Sequence, residues 1–265
     1  MIRVGAVIVL LTVVAALAAP WAVPYDPSSQ QLSLRLERPS PSHPFGLDEL
    51  GRDIFSRVLA GARISLLVGI TVVGISSIAG IVLGAIAGYF GGWLDEAISR
   101  SIDVLLAFPG ILLAIALVAV LGPSLKNVVM ALSAIGWVGY ARLVRGQVLR
   151  AREFEFVQAA RALGARTPRI LFRHVVPTTL PAVMVQATLG MAGAILAEAS
   201  LSFLGLGVQP PTPSWGTMLN GGRVHLLDAP HLTIFPGAAI AVLVLGFNFL
   251  GDGLRDVLDP KRQRA

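Results

Sequence analysis

Few residues of this 265-residue chain could do chemistry. It contains no cysteine, which excludes disulfides, thiolate metal sites and thiol nucleophiles. Its four histidines, His43, His174, His225 and His231, are scattered. No Ser-His-Asp grouping and no metal-ligand spacing accompanies them, so they read as surface or structural side chains. A Walker-type phosphate loop needs Gly-Lys followed by Ser or Thr, but Lys126 and Lys261 follow Leu125 and Pro260. The expectation is therefore no catalytic residue, no metal or cofactor bound by this chain, and no ATP hydrolysis by that route. One acid stands out by its position. Glu198 interrupts the apolar run Leu180–Leu204, and a carboxylate inside a membrane is costly and marks a candidate transport path. The competing reading makes it a structural group near the outer end of its helix, paired with a polar neighbour or a backbone N–H. A proton relay would show several such groups.

These residues must be positioned by elements that the hydropathy pattern defines. Charged residues are 14% of the chain and apolar ones 55%, against roughly 25% and 45–50% in soluble proteins. Six apolar stretches run Val4–Val23, Ile64–Phe90, Val104–Leu121, Val128–Val144, Leu180–Leu204 and Ile234–Leu250. Of the 21 basic and 15 acidic residues, only Arg142 and Glu198 fall inside them. A soluble helix keeps one polar face, so this segregation excludes a soluble globular enzyme. It also excludes a disordered chain and an outer-membrane barrel, whose strands alternate in polarity. Each stretch has about the length needed to cross a ~30 Å hydrocarbon core as a helix. The fold expected is an all-α polytopic membrane protein with six transmembrane helices. In the fourth, Arg142 and Arg145 are expected to snorkel at the inner end. The first stretch also resembles a signal peptide, with Arg3 before it and Ala16-Leu17-Ala18 as a cleavage site; its length favours an uncleaved helix.

Basic residues orient the chain. With a cytoplasmic N-terminus, the inside receives Arg3, Arg100, the arginines from Arg142 to Arg173, and Arg255, Lys261, Arg262 and Arg264. The outside receives Arg35, Arg38, Arg52, Arg57, Arg63, Lys126 and Arg223. This obeys the positive-inside rule and puts both termini in the cytoplasm. It also explains the +6 net charge without nucleic acid. Within the second stretch, Gly80, Gly84 and Gly88 recur every fourth residue along one helix face, a spacing that lets two helix backbones approach closely in lipid. Pro109, Pro181 and Pro236 are read near helix ends, where a missing N–H costs least.

The most informative segment is the arginine-rich loop Arg152–Pro177. Phe154, Val157, Ala160/Arg161 and Gly164 follow a helical period. Gly164 can end that helix in a left-handed conformation, and Thr167-Pro168 reads as an N-cap followed by proline at the first helical position. Two short helices meeting at a bend, with apolar and arginine side chains exposed, suit either a membrane surface or a groove on another protein.

Gln158-Ala159-Ala160, Gly164 and Pro177 stand in the register of the EAA loop, and the chain here resembles the binding-protein-dependent ABC importer permeases. It departs from the family at Gln158, where Glu is frequent, at His174, where the family has an aliphatic residue, and at Val176, where it has Leu. Three further segments, Pro44–Leu67, Glu198–Gly216 and Asn248–Pro260, are similar to the dipeptide/oligopeptide/nickel permease family, specifically its second, C-type member. The resemblance implies the type I ABC importer permease fold, in a multi-pass protein of a bacterial or archaeal inner membrane. It further implies a heterodimer with a B-type permease, two cytoplasmic ABC ATPases that carry the ATP and Mg, and an extracytoplasmic solute-binding protein. The function implied is alternating-access import of di- or oligopeptides, with nickel chelates or glutathione-like peptides as alternatives. The rival from another class is a stand-alone ion-coupled carrier. In this reading Glu153, Phe154, Val157, Gln158, Ala159, Ala160, Arg161, Gly164 and Pro177 belong to the ATPase-coupling loop 145–177. The loop sits within a core permease domain at 64–251. Residues 1–63 supply the first helix and an extracytoplasmic loop, and 252–265 a cytoplasmic tail.

Overall fold

The structure, a computed structural model, describes residues 1–258. Lys261, Arg262 and Arg264, and with them half of the expected tail 252–265, lie outside the described residues. Regular structure among the described residues is helical: α1 (Ile2–Ala22), α2 (Ile54–Phe90), α3 (Gly92–Leu106), α4 (Gly110–Leu121), α5 (Leu125–Ala151), α6 (Glu155–Ala162), α7 (Thr167–Ile170), α8 (Val176–Phe203), α9 (Trp215–Gly222) and α10 (His231–Leu258). Helices are required here because lipid offers no partner to a backbone N–H or C=O, so each spanning segment must bond internally.

Five helical segments are long and apolar enough to cross alone: α1, α2, α5, the continuous run Thr167–Phe203 and α10. All extend past the apolar stretches that revealed them. Helix α2 begins at Ile54 and has 37 residues, about 55 Å at 1.5 Å per residue, so its outer turns stand clear of the hydrocarbon. The division drawn at residue 63 therefore falls inside α2, and the one at 252 inside α10. One buried cluster joins Ala16, Ile54, Tyr140, Val157 and Phe247, so the chain packs as one unit from α1 to α10. Two prolines sit deeper in helices than the sequence reading placed them, Pro181 in α8 and Pro236 in α10. Pro109 is the N-cap of α4.

The third stretch, Val104–Leu121, is not one straight helix. It divides at Pro109 between the end of α3 and α4, whose axes are bent by 86°. Proline disfavours a helical residue before it and has no N–H to extend the ladder. Helix α4 alone, with 12 residues, spans about 18 Å, short of a ~30 Å core. Successive neighbours show how the pair crosses. Asp95 bonds Arg145, Ile102 clusters with Val138 and Ala141, Gly110 faces Ile135, and Ala114 and Val118 cluster with Ala131 and Val128. The chain thus follows α5 steadily from its C-terminal to its N-terminal end, which makes the bent pair the candidate sixth span.

Helix packing follows the small residues. A Cβ at Gly80 would lie 2.8 Å from Ala141 N, one at Gly84 2.5 Å from Ala141 O, and one at Gly88 2.8 Å from Arg145 O. The stripe therefore seats α2 directly on the α5 backbone. Helix α1 uses the same device against α10, where a Cβ at Gly5 would stand 2.7 Å from Gly246 O. The segment read as a possible signal peptide packs on α10 and α2, and within its cleavage-like Ala16-Leu17-Ala18 the first alanine is buried and Leu17 is 66% exposed. Nor do Arg142 and Arg145 snorkel alone. Arg145 Nη2 donates to Asp95 Oδ2 at 2.7 Å, and Arg142 pairs with Asp103 at 3.5 Å. The charged part of α3 is what the hydropathy of Val104–Leu121 left out.

Candidate coupling face, outer cap and transport cleft

At the C-terminal end of α5 the chain turns at Arg152–Phe154 into α6. Val157 is its only buried residue, fully enclosed and clustered with Val148, Ala151, Ile170, Leu171 and Val175. One apolar peg thus fixes an otherwise solvent-facing helix. Glu153, Phe154, Gln158, Ala159 and Arg161 are exposed and Ala160 is half-buried. Gln158 Nε2 donates to Glu153 O at 3.1 Å, so this amide closes its own turn. Gly164 adopts φ +77°, and Ala165 N–H returns to Ala160 O at 3.0 Å. That pair is the glycine-terminated helix end expected at this position. The second helix starts differently from the sequence reading. Arg166 is its N-cap, without a side-chain bond, and Thr167 and Pro168 are already helical. It does not end as a separate short helix either: a π turn at Leu171–Val175 carries it straight into α8. Pro177, exposed, occupies the first turn of α8. Between these helices lies an apolar surface, with Phe156 47%, Phe172 67% and Leu163 88% exposed. Arg161, Arg166, Arg169 and Arg173 surround it, all exposed.

The opposite end is closed by a folded cap. Asp53 caps α2 through a 2.7 Å bond from Ser56 N–H, and its other oxygen meets His43 Nδ1 at 2.9 Å. Asp48 pairs with Arg52 at 2.7 Å and Arg57 at 3.5 Å, and Arg57 Nη1 donates to Pro27 O at 2.9 Å. Phe45 stacks on Phe235 with centroids 3.9 Å apart. His43 and His231 are buried in this cap, so they are structural rather than surface groups. Among the described residues no group of His, Cys, Asp and Glu could hold a metal ion.

Glu198 belongs to the cap as well. It is fully buried near the outer end of α8. Ser202 Oγ donates to its Oε1 at 2.6 Å, Ser214 stands beside it, and Oε2 has no partner in bonding geometry. Ser202 also accepts from Val208 N–H at 3.3 Å. Ser214 then starts α9 with a capping box shared with Thr217. Next in sequence, Trp215 donates its Nε1–H to Val58 O at 2.9 Å across Gly61, where a Cβ would lie 2.9 Å from the indole. Ser202, bonded to Glu198, therefore ties the Gly205–Ser214 loop to α8 through Val208.

A different region opens toward the middle of the bundle. A cleft of about 270 Å³ lies among α2, α4, α5 and α8, lined by Ser76, Gly110, Gly136, Tyr140, Gln186, Gly190 and Gly193 among others. Glu198 does not line it. Sequence reasoning missed this cleft. The available signal was Gln186, the one side-chain amide in the fifth apolar stretch.

With this geometry in view, comparison with known proteins is direct. Residues 80–264 match the family described as "Binding-protein-dependent transport system inner membrane component". The dipeptide transport system permease protein DppC of Alkalihalophilus pseudofirmus is 49% identical over 258 residues, covering 97% of this chain and 85% of that protein. The glutathione transport system permease protein GsiD of Escherichia coli is 50% identical over 262 residues, covering 98% and 86%. Among solved structures, a chain from inward-facing conformations of the MetNI methionine ABC transporter superposes with a TM-score of 0.62 at 17% identity, covering 77% of this chain and 96% of that one. The chain belongs to the family of binding-protein-dependent transport system inner membrane components.

Proposed function

From that membership as premise, we propose that this chain is one of two permease subunits of an ATP-driven importer that carries peptides inward by alternating access. The observation that carries the reading is the exposed apolar and arginine-rich face of α6 and α7, with α6 pinned to the bundle through its single buried residue, Val157. A helix held this way moves as a handle. A groove on a cytoplasmic ATPase that takes Phe156, Leu163 and Phe172 would pull on α5 and α8 together. This chain lacks a phosphate loop, so ATP and Mg belong to two partner ATPases, and the companion subunit is a B-type permease. The arginine bias supports a cytoplasmic position for both termini and this face. Loops Tyr25–Arg63 and Gly205–Thr233 then receive the loaded solute-binding protein. Two relatives of nearly equal identity are named for dipeptides and for glutathione, which supports small peptides as cargo. The ligand retained by the cognate binding protein distinguishes these from a nickel chelate. A solitary ion-coupled carrier is disfavoured, because Glu198 is bound into the cap.

Reconstitution with ATPases, partner permease and binding protein tests the assignment. Gly164→Pro imposes φ near −65° where the chain holds +77°. It should cut peptide uptake about tenfold or more, equivalent to ~1.4 kcal/mol of lost docking. Arg161→Glu should do likewise, with both variants reaching the membrane. Normal uptake and normal ATPase recovery in both would sink the coupling role.

A further inference from the structure

Three polar groups around the cleft lack ordinary partners. Ser76 is 1% exposed and its Oγ has no hydrogen bond. The half-buried Gln186 side-chain amide makes none among the described residues. The Tyr140 hydroxyl reaches only the Gln186 backbone carbonyl, at 3.5 Å. All three lie near the middle of their spanning helices, at the depth where an unpaired amide or hydroxyl facing lipid is most costly. Such groups persist at mid-membrane where they face water or a polar ligand.

Glycines keep the space clear. A Cβ at Gly190 would collide with Tyr140 Oη, and one at Gly136 with Ser76 Oγ. At Gly193 a Cβ would meet nothing within 4 Å, so that side of the cleft is open. No Asp, Glu, Lys, Arg or His lines it. A charged ligand group would therefore find no counter-charge here. A carboxamide offers two donors and an acceptor, which matches a neutral group carrying both an N–H and a C=O.

We propose that Gln186, with Tyr140 and Ser76 behind it, forms a transient mid-membrane contact for the peptide bond of the cargo. This inference rests on the import reading above and names the chemistry by which the path recognises its load. The cleft, at about 270 Å³, lies just below the ~300–1,000 Å³ of pockets for drug-sized ligands, a size that suits a short peptide. Recognition through the backbone is indifferent to side-chain identity, which leaves selectivity to the binding protein.

The test uses the reconstituted complex with dialanine and glutathione as probe peptides. Gln186→Leu should lower the maximal uptake rate about tenfold, the loss expected at the upper end of the net worth of one hydrogen bond. ATPase activity stimulated by loaded binding protein should persist, and Gln186→Asn should recover part of the rate. The chain has no cysteine, so Gln186→Cys introduces a unique label. A water-soluble thiol reagent should modify it, and dialanine turnover should slow that modification. Labelling of Ile78→Cys, on α2 outside the cleft, should be unaffected by peptide. An unchanged uptake rate in Gln186→Leu overturns the inference. So does a Gln186→Cys thiol that the reagent cannot reach, that peptide does not protect, or that cross-links to the partner permease. A wild-type complex that imports no peptide would instead overturn the import reading itself.

Discussion

The two ends of this molecule solve opposite problems. In the outer cap, polar groups are spent on one another: Asp53 on Ser56 and His43, Asp48 on Arg52 and Arg57, Glu198 on Ser202, and Trp215 on Val58. At the α6–α7 face Arg161 and Arg166 stand exposed and Leu163 is 88% exposed. Most polar groups of the cap pair within their own chain, whereas the α6–α7 face presents exposed apolar side chains among arginines, a setting that marks an interaction site. Self-satisfaction makes an end rigid; unsatisfied apolar surface makes it a place for a partner.

Substitutions can break or sharpen that contrast. The largest expected effect is Trp215→Ala in the cap. The indole is 2% exposed and bonded to Val58 O, and its loss should cost about 3–5 kcal/mol, read as a lowered melting temperature in detergent. An unchanged melt would mean that the cap does not hold the outer ends together. Asp53→Ala removes the α2 cap and the His43 contact. It should cost about 1–2 kcal/mol, and Asp53→Asn, which keeps an N-cap acceptor, should cost less. Between the two ends, Asp95→Ala opens the Arg145 pair, whose side chains are 20% and 34% exposed. Solvent screening limits that loss to about 0.2–1 kcal/mol, and the exchange Asp95→Arg with Arg145→Asp should restore it. At the inner face, Leu163→Ser should change stability by no more than about 0.5 kcal/mol while peptide uptake falls. A strongly lowered melt there would erase the contrast.

The α6–α7 face was largely legible in the sequence because its signals are local. A helical period, a glycine that must take positive φ and a proline are adjacent along the chain, and helix α6 ends at Gly164 as that pattern demands. The N-cap was misassigned by one residue, since Arg166 already has extended backbone and Thr167 needs no cap bond to begin the turn. Glu198 shows the limit from the other side. Its position flagged it, but whether it faces a path or a loop depends on Ser214, far along the chain and beyond any periodicity.

By itself the sequence determined the solvent of each segment. Segregating nearly all charges from six apolar stretches forces helices across lipid, because backbone groups there have no other partner. It also determined the α2 packing face, since only glycine at every fourth residue lets the α5 backbone come so close. Tertiary structure alone decided the rest. The 86° bend between α3 and α4 joins an amphipathic helix, whose acids answer Arg142 and Arg145, to an apolar one. The gathering of Ser76, Tyr140 and Gln186 around one cleft needs α2, α5 and α8 to meet at the same depth. Hydropathy records how a residue partitions into lipid. Which residues then face each other depends on crossing geometry, which is a property of the packed bundle.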